Sequence, residues 1–138
     1  MIRFSKLVSL LSLILLIAVA MIASSTTAES NNQGDNKTML RHVVIFKFKD
    51  SSTPADVQKV VDGFRGLKAK IPQIASFEYG TNNSPEGRND GFTHCFLVTF
   101  KTDKDRDAYL PHPAHKAFVD ILKPHLEKAM VIDYWAGE

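Results

Sequence analysis

A tyrosine and four histidines are the residues of this chain best suited to chemistry. LPHPAHKAF, residues 110–118, holds His112 and His115, with Tyr109 just upstream. His42 and His94 each stand near the start of a β-branched, aromatic stretch. An imidazole titrates near neutral pH, so a partly buried one can take or give a proton. A tyrosine hydroxyl can orient it or polarise a carbonyl. Gathered in one cleft, Tyr109, His115, His94 and His42 suit proton transfer on an aromatic or polyketide-like substrate. The structural alternative stays open. A histidine near a core is often only a hydrogen-bonded packing residue, and no acidic residue is obviously paired with His115.

Those side chains must be held by strands and helices that the pattern makes readable. LRHVVIFKFK (40–49) is β-branched and aromatic and predicts a strand. Alternation puts Leu40, His42, Val44, Phe46 and Phe48 on one face and Val43 and Ile45 on the other. Both faces are partly apolar, so each needs a cover. Thr53, Pro54 and Asp56 form a helix start, and Val57, Val60, Val61, Phe64 and Leu67 make its apolar stripe. Ile71-Pro72 ends that helix. A second strand is expected over 74–80, and a polar loop of turn formers over 81–91.

FTHCFLVTFK (92–101) predicts a third strand, with His94, Phe96, Val98 and Phe100 on one face and Cys95, Leu97 and Thr99 on the other. Thr102 caps a short helical stretch, which the prolines of 111 and 113 interrupt. A further helix starts at Pro113, with His112 as its cap and His115 in its first turn. Phe118, Ile121, Leu122 and Leu126 make its apolar face until Pro124 kinks or ends it. A last strand is expected over 129–137. The order β-α-β-β-α-β is the ferredoxin-like α+β arrangement. It puts the ligand pocket between sheet and helices, walled by Val44, Phe46, Phe64, Phe96 and Phe118.

Other chemistries find less support. His112 and His115 have a spacing that can share a metal, but two ligands alone are a common chance pair, and no metal or cofactor site is assigned. Glycine-rich phosphate loops and serine elbows are absent. Cys95, the single cysteine, sits mid-strand and reads as a small core residue; it leaves no internal disulfide.

Residues 1–28 run from basic (Arg3, Lys6) through an apolar stretch to SSTTA, the order of a secretory signal peptide, with a cut expected before Glu29; a leader kept as an uncleaved anchor is the alternative. The chain carries 17 Lys+Arg and 15 Asp+Glu, and the leader takes two of the bases, which leaves 15 of each. A mature chain of zero net charge has no basic footprint for nucleic acid. Once the leader is cut it also has no membrane anchor, so it is expected outside the cytoplasm, periplasmic or extracellular. Residues 29–38 read as a flexible linker and 39–138 as one small domain. A domain this size buries only a modest core of its own, and self-association makes up the difference.

HVVIFKFKD (42–50), SPEG-x3-GFTHCFLVTF (84–100), DRDAYLPHPAHKAF (105–118) and the terminal VIDYW together resemble the stress-responsive α/β-barrel (Dabb) domain family. The resemblance covers about residues 40–136. It implies a ferredoxin-like protomer that pairs with a second copy into a dimeric α/β barrel. The family includes a plant polyketide cyclase that uses a Tyr and a His as its proton-handling pair. The matching positions here are Tyr109 and His115, with His42 and His94 matching its pocket histidines. The implied activity is that of a cofactor-free cyclase or lyase on a small hydrophobic molecule. A non-catalytic dimer with a structural or stress-protective role is the alternative.

Overall fold

A computed structural model of the chain describes residues 38–137. The expected leader, and all of the expected linker except Thr38, lie outside the described residues. The elements are β1 (Leu40–Phe48), α1 (Pro54–Arg65), α2 (Leu67–Lys70), β2 (Ile74–Thr81), β3 (His94–Phe100), α3 (Asp103–Tyr109), α4 (Pro113–Leu122) and β4 (Leu126–Trp135). The four strands form one antiparallel sheet in the order β2-β3-β1-β4. This is the ferredoxin-like α+β fold.

Local chemistry sets the helix starts. Thr53 accepts from the Asp56 amide while the Asp56 carboxylate accepts from the Thr53 amide, a reciprocal cap with Pro54 in the first turn. Thr102 caps α3 through the Asp105 amide. His112 caps α4, its Nδ1 accepting from the Ala114 amide at 3.1 Å. The expected helix-start role of His112 and Pro113 is therefore what the backbone adopts.

The sheet's two faces differ. Leu40, Val44, Phe46, Phe96, Val98 and Phe100 are buried under the helices with Val60, Val61, Phe64 and Phe118. Phe64 of α1 stacks on Phe118 of α4 at 4.5 Å between ring centroids and lies 4.7 Å from Phe96 of β3. The opposite face is open. Val43 lies between Leu97 and Ile132, and Ile45 between Cys95 and Met130.

Four expectations change. β3 begins at His94 instead of Phe92, because Asn89 accepts the Phe92 amide and ties it into the loop. β4 begins at Leu126 instead of 129. Leu126 pairs with Phe48 and belongs to the strand, since the helix ends at Leu122, before Pro124. Cys95 is exposed, on the open face, and is not a core residue. The interior meant to be a pocket is packed: Val44, Phe46, Phe64, Phe96 and Phe118 are at most 5% exposed, ring against ring.

Candidate functional site

The break between α3 and α4 turns Tyr109 inward. Its ring is fully buried, 5.9 Å from the His42 ring and 4.3 Å from the His115 ring. Phe100 closes the back of the group at 5.2 Å from Tyr109. The Tyr109 hydroxyl has no hydrogen-bond partner in the structure. A buried hydroxyl without a partner costs on the order of 1–3 kcal/mol, so this arrangement needs a reason. Burial also pushes the Tyr109 phenol well above its ordinary pKa. It keeps its proton and is a donor in waiting.

The two histidines beside it are held differently. His115 Nδ1 lies 2.9 Å from the Leu110 carbonyl oxygen. A carbonyl only accepts, so Nδ1 carries the hydrogen and Nε2 of the neutral ring is left as the proton acceptor. Burial lowers the His115 pKa, and the neighbouring His42 and His112 lower it further against the raising effect of the Leu110 carbonyl. The N-terminal end of α4 acts in the same direction. One side of His115 faces a shallow cavity of about 400 Å³, bounded also by Leu110, Lys116 and Val119.

His42 is buried, and its Nδ1 lies 2.6 Å from Asp133 Oδ1. The second oxygen of Asp133 accepts from Arg106 Nη1 at 2.8 Å. Burial pushes the Asp133 carboxyl up, but hydrogen bonds from Arg106 and His42 outweigh it and hold it below its usual range. An ionised carboxylate only accepts, so His42 Nδ1 is the donor and its Nε2 is the free position. Asp133 and Arg106 did not emerge from the sequence. The available signal was alternation in VIDYW, which puts Val131, Asp133 and Trp135 on the helix-side face of β4, with Asp133 opposite His42.

His94 does not join the group. It pairs with Phe46, whereas His42 pairs with Val98. β1 and β3 are antiparallel, so two histidines near the starts of their strands lie toward opposite ends of the sheet. His94 packs against Phe48 at 5.1 Å and its Nδ1 meets the Thr93 hydroxyl at 2.9 Å. The structure therefore gathers Tyr109, His115 and His42 and adds Asp133 and Arg106. Phe118 borders the group, 6.4 Å from His115. Phe46, Phe64, Phe96 and Val44 pack the adjoining core.

The sheet, the split helices and this cluster define a small ferredoxin-like α+β domain. The chain belongs to the stress responsive A/B barrel domain (Dabb) family, whose model matches residues 40–136. It is 34% identical over 98 residues to the stress-response A/B barrel domain-containing protein HS1 of Arabidopsis thaliana, covering 71% of this chain and 90% of that one. It is 30% identical over 95 residues to olivetolic acid cyclase of Cannabis sativa, covering 69% of this chain and 94% of that one. Among solved structures, the hydroxynitrile lyase of Passiflora edulis superposes with a TM-score of 0.70 at 26% identity, over 74% of this chain and 96% of that chain. A dimeric ferredoxin-like protein from Bacteroides fragilis superposes with a TM-score of 0.59 at 28% identity, over 71% of this chain and 96% of that chain.

Proposed function

We propose that this protein is an exported homodimer that moves a proton on a small apolar carbonyl compound, without a cofactor, in cyclase- or lyase-type chemistry. The observation that carries the reading is the Tyr109 hydroxyl, buried and unpartnered, on a ring that packs beside two imidazoles. A substrate oxygen beside it would accept the hydrogen bond that it lacks. His115 Nε2 would take the proton, and Tyr109 would stabilise the negative charge that develops on oxygen. Asp133 orients His42 by accepting from its Nδ1. Two relatives act in this chemical range, the olivetolic acid cyclase and the hydroxynitrile lyase.

The dimer reading rests on the open face. Met130, Ile132 and Tyr134 continue the apolar rows of Val43, Ile45 and Leu97, and each is at least 41% exposed. A contiguous exposed apolar patch marks an interaction surface. Export rests on the order of residues 1–28, and the mature protein should begin at or near Glu29 when its N-terminus is sequenced.

The packed interior favours a second reading. Phe46, Phe64, Phe96 and Phe118 fill the expected ligand space, as a non-catalytic stress-protective dimer would have it. Turnover separates the two. Mandelonitrile, a hydroxynitrile, should be cleaved above background: His115 takes the hydroxyl proton, the C–C bond breaks with its electron pair on the departing cyanide, which leaves as hydrogen cyanide, and the benzaldehyde formed is followed by absorbance. Tyr109→Phe and His115→Gln should each lower that rate at least about tenfold while both proteins stay folded. Equal rates in both variants and the parent would favour the structural reading.

A further inference from the structure

A cavity of about 350 Å³ lies on the other side of the sheet from Tyr109 and His115. We propose that it is a second small-molecule site, one that takes an apolar molecule bearing a carboxylate. Its floor is a single row across the open face: Gly80, Cys95, Ile45 and Met130, paired in register. Its wall is the loop between β2 and β3, which brings Arg88, Asn89 and Phe92 over the row. The volume falls within the range of small-molecule sites, and the apolar floor is ringed by polar groups, Thr81, Asn82, Arg88, Asn89, Asp90 and Thr93.

Three further observations bear on the occupant. The loop is built rather than loose. Asn82 donates to the Thr93 carbonyl at 2.8 Å, Asn89 Nδ2 to the Phe92 carbonyl at 2.8 Å, and Thr93 to the Phe46 carbonyl at 3.0 Å. Asp90 and Gly91 take left-handed backbone conformations, and a Cβ at Gly91 would come within 2.6 Å of Lys47. The floor has been kept low: a Cβ at Gly80 would meet nothing within 4 Å, so the glycine leaves room where a side chain would stand. Arg88 forms no ion pair among the described residues, and its planar guanidinium suits a carboxylate. Asp90 is the acid on the same rim, and the nearby Lys47 is ion-paired with Glu127 at 2.7 Å.

The site is independent of the proton-transfer reading, because the sheet separates the two.

Octanoate is the probe, with 1-octanol and octylamine as its neutral and cationic counterparts. Binding is read from backbone amide shifts of the full mature protein. Octanoate should produce saturable shifts centred on Gly80, Thr93 and Cys95, and should bind tighter than either counterpart. Gly80→Phe should abolish the shifts of all three compounds. Arg88→Gln, which leaves the floor untouched, should weaken octanoate about tenfold and leave octanol unchanged. Tyr109→Phe should alter none of this. The proposal is overturned by shifts centred on Tyr109 and His115, by octylamine binding tighter than octanoate, by octanoate binding that Gly80→Phe does not change, or by no binding to the dimer at all.

Discussion

The two faces of one sheet carry similar residues and put them to different uses. Under the helices, Val44, Phe46, Phe96 and Phe100 are sealed, and the polar cluster sits at one end of that dry layer. On the other face, Val43, Ile45, Leu97 and Met130 are equally apolar and left partly exposed. Hydrophobic side chains alone do not make a core. What distinguishes the faces is the cover, which α1 and α4 supply along one side and only the loop between β2 and β3, at one end, supplies on the other. The sealed face should therefore govern folding, and the open face association.

The largest effect should come from that contrast. Phe64→Ala removes a ring that contacts Phe46, Phe96 and Phe118, and should cost about 3–5 kcal/mol in urea denaturation, enough to unfold much of the protein. Leu97→Asp on the open face should leave the protomer folded and convert a dimer to monomer in sedimentation. Unfolding by both to the same extent would mean that the two faces do one job.

Next in size is the carboxylate that links the faces of the cluster. Asp133→Ala leaves the buried His42 Nδ1 without its acceptor, at a cost of about 1–3 kcal/mol, and leaves Arg106 with Asp107 as its remaining carboxylate partner. The pH dependence has a definite sign. Asp133 is held below its usual pKa in the fold, so its contribution is present above the ordinary carboxylate value and is lost as pH falls through the folded one. Asp133→Asn should flatten this acid limb of the stability curve. An unchanged limb would mean that the ion pair forms equally in the unfolded chain.

Much of this was legible in the sequence, because it is local. Thr53-Pro54-Asp56 and His112-Pro113 announce their helix starts within a few residues. The alternation in 40–48 fixes which side chains face the helices. The site was legible only in part, because pairing joins residues far apart in sequence. His42 and Asp133 are 91 positions apart, and only the register of β1 on β4 makes them neighbours. The same cause separates His94 from His42, since strand direction is a property of the sheet and not of either segment. The open-face chamber depends on the left-handed backbone at Asp90 and Gly91, where the residue pattern announces only a loop.

A smaller effect, with its sign reversed, is expected at Tyr109. The hydroxyl makes no hydrogen bond, so Tyr109→Phe loses no partner and removes a buried unsatisfied donor. Stability should hold or rise by up to about 1–2 kcal/mol in thermal denaturation, while turnover falls. A clear loss of stability would mean that the hydroxyl has a partner in solution and belongs to the scaffold.

The smallest effect compares the two histidines that the sequence put together and the fold drew apart. Burial lowers the pKa of both His94 and His115, and an imidazole titration by NMR should find each below the ordinary value of about 6.5. In the window between the folded and ordinary values, the unfolded chain binds more protons than the native one. Stability therefore rises with pH across that window and levels off above it. Both groups are partly exposed, so His94→Gln and His115→Gln should each remove only a small part of that slope. Function is where they part. A base must be neutral to accept a proton, so turnover should fall as pH drops through the lowered His115 value. His94→Gln should leave that limb in place, because the ring packs on Phe48 beyond reach of Tyr109. His115→Gln should remove the limb together with most of the rate. If His94→Gln shifts the limb instead, the chemistry lies at the other end of the sheet.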